Sequence, residues 1–285
     1  MSSPDILFDA PGPRAIARHR VYTVVAVAGL VAVVAWACWR LYENGQFAYE
    51  LWEPFVTPSY MRALLVDGLL TTLQMAVSAV LLAVVFGVVF GVGKLSDHGW
   101  VRWPCWAVVE FFRAVPVLLL MILIFFSYGI TRDESGSYWT VVIALMLYNG
   151  AVLAEVFRAG IQAVPAGQAE AAYAIGMRKG QVMNIVLLPQ AVKIMLPAII
   201  SQMVVALKDT SLGYVVAAPG LTYVGGLIYK GFQNHVPTAI VLASLYIVVN
   251  LLLTWLATVL QKRLVGEKKP LEVSMVSDLD TGRGL

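Results

Sequence analysis

Residues 161–189 read IQAVPAGQAEAAYAIGMRKGQVMNIVLLP, and this stretch decides how the rest of the chain is organised. It lies between two apolar runs, Tyr138–Gly160 and Gln190–Val216. Each run is long enough to cross a bilayer core, which takes about 20 apolar residues. The stretch between them is too polar to span and too patterned to be a slack linker. Pro165 and Gly167 punctuate its start. Gln168 to Ile175 reads as a short helix, Gly176 breaks it, Arg178 to Leu187 reads as a second, and Pro189 closes the segment. A structured loop of about 30 residues is usually functional. Its Ala169, Ala171 and Ala172 are small, so a partner can pack closely against it.

Working outward, four more runs qualify as spans: Val21–Leu41, Val66–Gly93, Pro104–Ile130 and Pro237–Leu260. The expectation is an all-α polytopic membrane protein with about six transmembrane helices. Composition agrees. Of 285 residues, 60% are apolar and 13% charged, with mean hydropathy +0.79, against about 45–50% and 25% in soluble domains. That excludes a disordered chain and argues against an ordinary soluble enzyme. A net charge of +3 gives no nucleic-acid footprint. Cys38 and Cys105 supply neither a disulfide framework nor a metal-ligand spacing.

The first run follows Arg18-His19-Arg20 and mimics a signal peptide, but its apolar core exceeds the usual length of about 7–15 residues, so it reads as an uncleaved helix. With the N-terminus inside, the inside segments hold thirteen Lys and Arg, and the outside segments hold only Arg40, Arg62, Arg132 and Lys230. This positive-inside bias places both termini in the cytoplasm. Tyr42, Phe47, Tyr49, Trp52 and Phe55 alternate with Glu43, Glu50 and Glu53 and read as an interfacial aromatic belt or as a docking surface for an extracytoplasmic partner. In the second run Ala79, Ala83, Gly87 and Gly91 recur every four residues, a row that lets another helix approach closely, within the chain or across a dimer.

The sequence lacks HExxH, GxSxG and CxxC patterns and has no GxxxxGK[ST] phosphate loop. The expectation is therefore a non-catalytic chain with no metal and no cofactor of its own. Ionisable residues inside spans are functional candidates by default. Glu110 and Arg113 share one helical face in the third run, and Pro116 then interrupts the helix. They form either an intrahelical ion pair or part of a solute pathway. In the fifth run Ser201 and Lys208, and Gln202 and Asp209, are seven apart and lie near one face, which Thr210 and Ser211 extend. That face meets protein or a water-filled cavity, and Lys208–Asp209 read either as partners of Arg113 and Glu110 across the bundle or as pathway lining. Asn149 and Asn250 read as hydrogen-bond partners of neighbouring helices, and Glu155–Arg158 as a structural pair. The central charges, Arg113 and Lys208 against Glu110 and Asp209, nearly cancel, which suits a zwitterionic solute or none.

Glu170-Ala171-Ala172, three residues, Gly176, nine residues, then Val186-Leu-Leu188-Pro189 resembles the EAA loop of bacterial ABC importer permeases, with Val186 where the family usually has Ile. Glu110-Phe-Phe-Arg113-Ala-Val-Pro116 is similar to the permeases for polar amino acids, which more often have Gly-Thr at Ala114-Val115. Residues 154–168, Leu188-Pro-Gln-Ala191 and Leu207-Lys-Asp-Thr-Ser-Leu212 also resemble that subfamily, and Tyr148-Asn-Gly-Ala151 with Gly213-Tyr214 looks most like glutamate-importer permeases of actinobacterial type.

The resemblance implies a five-helix type I importer core at 61–262, preceded by an extra helix within 1–60 and followed by a tail, 263–285, whose last part from Glu267 reads as mobile. It implies a bacterial plasma-membrane subunit that imports an amino acid, glutamate first and glutamine, aspartate or arginine as alternatives. Its implied partners are an ABC ATPase homodimer carrying ATP and Mg, a second related permease or a second copy of this chain, and an extracytoplasmic binding protein. Gln168, Glu170, Ala171, Ala172, Gly176, Arg178, Leu188 and Pro189 would couple to the ATPase, Arg178 and Lys179 meeting acidic groups there. Glu110, Arg113, Pro116, Asn149, Ser201, Gln202, Lys208, Asp209, Thr210 and Ser211 would line the pathway, with Arg113 or Lys208 on a substrate carboxylate. The rival classes are an ion-coupled secondary transporter, which typically shows internal repeats not seen here, and a non-transporting scaffold.

Overall fold

A chain this apolar has to close its backbone hydrogen bonds within each segment when lipid surrounds it, which leaves helices or closed barrels. In the computed structural model, which describes residues 12–132 and 134–265, every regular element is helical. The tail from Glu267 onward lies outside the described residues.

Helix α1 (Pro13–Glu43) is followed by two short helices, α2 (Tyr49–Trp52) and α3 (Pro58–Arg62). A π-helical stretch, Ala63–Leu70, carries α3 directly into α4 (Thr71–Lys94). Then come α5 (Gly99–Ala114), α6 (Val117–Ile124), α7 (Glu134–Gln162), α8 (Ala166–Ala174) and α9 (Lys179–Gln181). A second π-helical stretch, Val182–Leu187, leads into α10 (Leu188–Asp209), and α11 (Leu221–Phe232) and α12 (His235–Val265) complete the described chain.

Five helices or continuous helix groups are long and apolar enough to cross a membrane. The third run, Pro104–Ile130, behaves differently. Residues Gly99–Ala114 and Val117–Gly129 form two helices bent by 101° across Val115 and Pro116. Pro116 removes a donor and disfavours helical backbone at Val115, which is extended (φ −80°, ψ 126°). The expected Pro104–Ile130 span is therefore a broken one.

Pro189 does not close the loop segment as its sequence suggests. Residues Lys179 to Val216 run as one helical path, with Pro189 in the first turn of α10. The supposed outside loop after Val216 also contains a helix, α11, whose first amide, Leu221 N–H, donates to Thr72 Oγ1 at 2.8 Å.

The centre of the fold is the α4–α7 pair. Ala79, Ala83, Gly87 and Gly91 are all buried, and a Cβ on Gly87 would come within 2.8 Å of Leu153 Cβ, one on Gly91 within 2.9 Å of the Ala154 carbonyl oxygen. The small-residue row thus packs within the chain, onto α7. Met75, Met121, Val141, Leu145 and Val216 fill the core on one side, and Ala83, Leu153, Ala191 and Met195 fill it toward α10. Helix α1 contributes nothing to these cores, and its apolar window is wholly exposed.

Candidate functional sites: an exposed loop and two polar centres

The loop between α7 and α10 is rooted by buried Ala172 and Val182. Helix α8 ends in a Schellman motif: Gly176 N–H donates to Tyr173 O at 2.9 Å and Met177 N–H to Ala172 O at 3.1 Å. Gly176 holds φ +83°, a left-handed conformation that glycine adopts without steric cost, and nothing crowds its missing Cβ. The Arg178 N–H donates to the Gln181 side chain at 2.8 Å, starting the next helix. Gln190 Nε2 bridges Val186 O at 3.0 Å and Gln168 Oε1 at 3.3 Å, tying the two ends of the loop together.

Gln168, Glu170, Ala171, Gly176, Arg178, Leu188 and Pro189 are all exposed, whereas Ala172 packs inward. Lys179 forms an ion pair with Asp97 in the α4–α5 connection. The Lys179 ammonium holds the Asp97 carboxyl below the usual carboxylate range. Sequence reasoning missed Tyr173, Ile175 and Ile185, which are 48%, 79% and 64% exposed on the same loop. Their only signal was the placing of large apolar side chains in an otherwise small or polar segment.

The first polar centre lies at the loop end of α4, α5 and α7. The Lys94 side chain is only 4% exposed and pairs with Glu110 Oε1 at 3.2 Å and with Glu155. Arg113 donates to both Glu110 oxygens at 3.1 Å, and Arg158 to Glu155 Oε2 at 3.0 Å from Nε and to Gln162 at 2.8 Å. The Glu110–Arg113 and Glu155–Arg158 pairs expected from spacing therefore exist. Lys94 joins them across three helices, and the sequence had hidden it at the end of an apolar run. A cavity of about 480 Å³ lies beside the cluster, lined also by Arg102, Trp103 and Trp106. Among the described residues, no ion pair links Lys208 or Asp209 to this cluster.

The polar stripe on α10 splits. Gln202 Nε2 donates to Asn149 Oδ1 at 2.6 Å, while Asn149 Nδ2 donates to Leu145 O, so this pair fastens α10 to α7. Thr210 is buried and donates to Leu207 O at 2.6 Å. Ser201 and Lys208 are exposed, and Asp209 is half-buried. Lys208 and Ser211 face α12 across a cavity of about 500 Å³, whose far wall includes Tyr246, Asn250 and Thr254. Asn250 does not reach a neighbouring helix as expected; its Nδ2 donates to Tyr246 O in its own helix at 2.7 Å.

Residues 83–266 match the family described as binding-protein-dependent transport system inner membrane component. The chain is 41% identical to the glutamate transport system permease protein GluD of Corynebacterium glutamicum, over 78% of its own length and 82% of that protein's. It is 31% identical to the glutamate/aspartate import permease protein GltK of Escherichia coli, covering 70% of this chain and 92% of that one. Its fold superposes on the crystal structure of an amino acid ABC transporter with histidines at a TM-score of 0.67 and 29% identity, over 72% of this chain and 95% of the other. The methionine transporter MetNI in an inward-facing conformation matches at a TM-score of 0.63 and 21% identity, over 73% and 99%, a likeness of fold alone. The chain therefore belongs to the family of binding-protein-dependent transport system inner membrane components.

Proposed function

We propose that this chain is a permease subunit of an ATP-driven glutamate importer and that loop 161–189 couples it to the ATPase. The observation that carries the substrate is the 41% identity to a glutamate permease over most of both chains. The coupling role rests on the loop's construction. A lever has to be rigid, and this one is rooted by Ala172 and Val182, capped at Gly176 and clamped by Gln190. Its exposed face carries both charge (Glu170, Arg178) and apolar surface (Tyr173, Ile175), as a docking surface requires.

In this reading both termini are cytoplasmic, two ABC ATPase subunits lie beneath the loop, and an extracytoplasmic binding protein delivers the amino acid. A second permease, related or identical, completes the pathway. ATP and its Mg belong to the ATPase, and this chain performs no hydrolysis. Closure of the ATPase dimer moves the loop, and the helices rock between outward and inward access.

Tagging the chain, solubilising it gently and identifying its stoichiometric companions tests the assembly. An ATPase with a second permease, together with uptake of labelled glutamate, is the expected result. Recovery without any ATPase, in a detergent that preserves such complexes, would remove the coupling role. A second reading, import of another polar amino acid, is supported by 28% identity over 70% of the chain to the arginine transport system permease protein ArtQ of Bacillus subtilis. Competition of glutamate uptake by unlabelled arginine, glutamine and aspartate decides between them.

A further inference from the structure

The cavity of about 480 Å³ beside the Lys94 cluster has a wall that the ion pairs leave unused. Arg102, Trp103 and Trp106 come from the first two turns of α5 and are all exposed, the two indoles by 64% and 48%. Their rings pack edge to face, with centroids 5.9 Å apart. Helix α4 is part of a spanning segment that ends at Lys94. A Cβ on Gly93, in its last turn, would meet Cys105 Sγ of α5, and Asp97 in the intervening connection is tied to Lys179 of the exposed loop. The first turns of α5 therefore lie where a span ends, the level of lipid headgroups, at which indoles are enriched.

Charge and apolar surface are set in order along this wall. Lys94, Arg113 and Arg158 already hold Glu110 and Glu155, three cations on two carboxylates. Arg102 adds a further positive charge and forms no hydrogen bond or ion pair among the described residues. The other nearby acid, Asp97, is engaged by Lys179 and feels Arg102 less than it feels Lys179 or His98. From the cavity, Trp103, Ala107, Phe111 and Ala114 follow one another along α5 at three- or four-residue spacing and are all exposed, a continuous apolar strip. A cationic fork at headgroup level with an apolar strip leading away from it complements a phospholipid better than a soluble anion.

We infer that this cavity holds the headgroup of an anionic phospholipid, with Arg102 on the phosphodiester and an acyl chain along the strip from Trp103 to Phe111. The planar guanidinium suits two phosphate oxygens at once. Lys94 takes no part, because both of its carboxylate partners lie inside the protein. The cytoplasmic reading of loop 161–189 makes the lipid one of the inner leaflet, whose anionic headgroups attract basic groups at the surface. The chemistry of the site stands apart from that reading and from the solute, so its failure would leave the proposed coupling role untouched.

The test uses the assembled importer in mild detergent. Native mass spectrometry follows binding as dioleoyl phosphatidylglycerol or dioleoyl phosphatidylcholine is titrated in, two lipids that share their chains and differ in net charge. The wild-type complex is expected to bind phosphatidylglycerol saturably and about fivefold more tightly than phosphatidylcholine. Arg102→Gln should erase that preference by weakening phosphatidylglycerol alone, with no change in the thermal midpoint of the lipid-free protein. Trp103→Ala should weaken both lipids by a similar factor, because it shortens the strip on which the chain lies. Arg263→Gln removes an exposed cation of α12 outside the cavity and should change neither lipid. No preference in the wild type would overturn the site, and equal weakening by Arg102→Gln and Arg263→Gln would reduce it to diffuse attraction. Displacement of phosphatidylglycerol by millimolar sn-glycerol 3-phosphate would give the cavity to a soluble phosphate instead. Loss of a second permease from the Trp103→Ala complex, with lipid binding unchanged, would give the face to a subunit interface.

Discussion

Two polar centres among the described residues are built in opposite ways. At the loop end of the bundle, Lys94, Glu110, Glu155, Arg113 and Arg158 form a chain of ion pairs in which every charge has a partner. Between α10 and α12, Lys208 forms no hydrogen bond or ion pair among the described residues, and Asn250 Oδ1 is buried without a hydrogen-bond partner. Composition alone treats the two alike, since both put titratable and amide groups into spans. Their satisfaction separates them. A paired cluster holds helices together, whereas a buried amide oxygen without a partner costs free energy.

The sharpest way to break this comparison is to remove the hub of the paired cluster. Lys94→Met leaves two carboxylates, Glu110 on α5 and Glu155 on α7, with only their partly exposed arginines. The expected loss is about 3 kcal/mol, the low end for disrupting a buried pair, read as a lower thermal midpoint of the detergent-solubilised chain. Arg113→Gln, at a side chain 39% exposed, should cost about 1 kcal/mol or less. Equal losses from the two would show that Lys94 is not the centre of the cluster.

Next in size is Gly91→Val. Gly91 sits three residues before Lys94, and its missing Cβ lets α4 lie against the Ala154 carbonyl, one residue from Glu155. The close approach is what brings the Lys94 ammonium to its partner. Forcing the helices apart should cost about 2 kcal/mol in overpacking and loosen the Lys94–Glu155 pair. A substitution at Gly29 in α1, where nothing lies near the missing Cβ, should leave the midpoint where it was. If the two glycines respond alike, close packing of α4 on α7 is not what sets the cluster.

These two regions were not equally legible in the sequence. The spans, the small-residue row and the Schellman glycine each rest on a local period or a backbone constraint, and all three stand in the structure. The bend at Pro116 was also signalled by its own residue. Lys94 was not, because it ends an apolar run and its carboxylates lie 16 and 61 residues away. Nor was the run-through of Pro189, since a π-helical stretch leaves no periodic trace that differs from a helix. Asn250 illustrates the limit best. A lone asparagine in a span is compatible with a partner on any neighbouring helix, and only the three-dimensional packing shows that its oxygen has none.

The comparison also predicts a near-absence of effect. Lys208→Gln removes an exposed cation that forms no hydrogen bond or ion pair among the described residues, so the thermal midpoint should move by less than about 0.5 kcal/mol equivalent. A loss comparable to that of Lys94→Met would place Lys208 in a structural pair and return it to the scaffold.

The smallest effect is expected at the third kind of pair, Asp97–Lys179, which ties the exposed loop to the α4–α5 connection in full contact with solvent. The pair depresses the Asp97 carboxyl below its ordinary value of 3.8, chiefly through the hydrogen bond from Lys179. The sign follows directly. A carboxyl lowered in the folded state contributes above its unfolded value, and the contribution fades as pH falls through the lower folded value. At neutral pH the pair is therefore complete, and acidification below the usual carboxylate range releases the loop. Because both side chains are exposed, salt screens it as well: the Debye length falls to about 3 Å at 1 M. Hydrogen exchange at Lys179–Val182 should rise modestly in Asp97→Asn, and high salt should produce the same rise in the wild type but none in the variant. The buried Lys94 cluster should ignore that salt. A salt response of equal size at both places would mean that water reaches Lys94 as freely as Lys179, and the distinction between a sealed brace and a surface tether would fail.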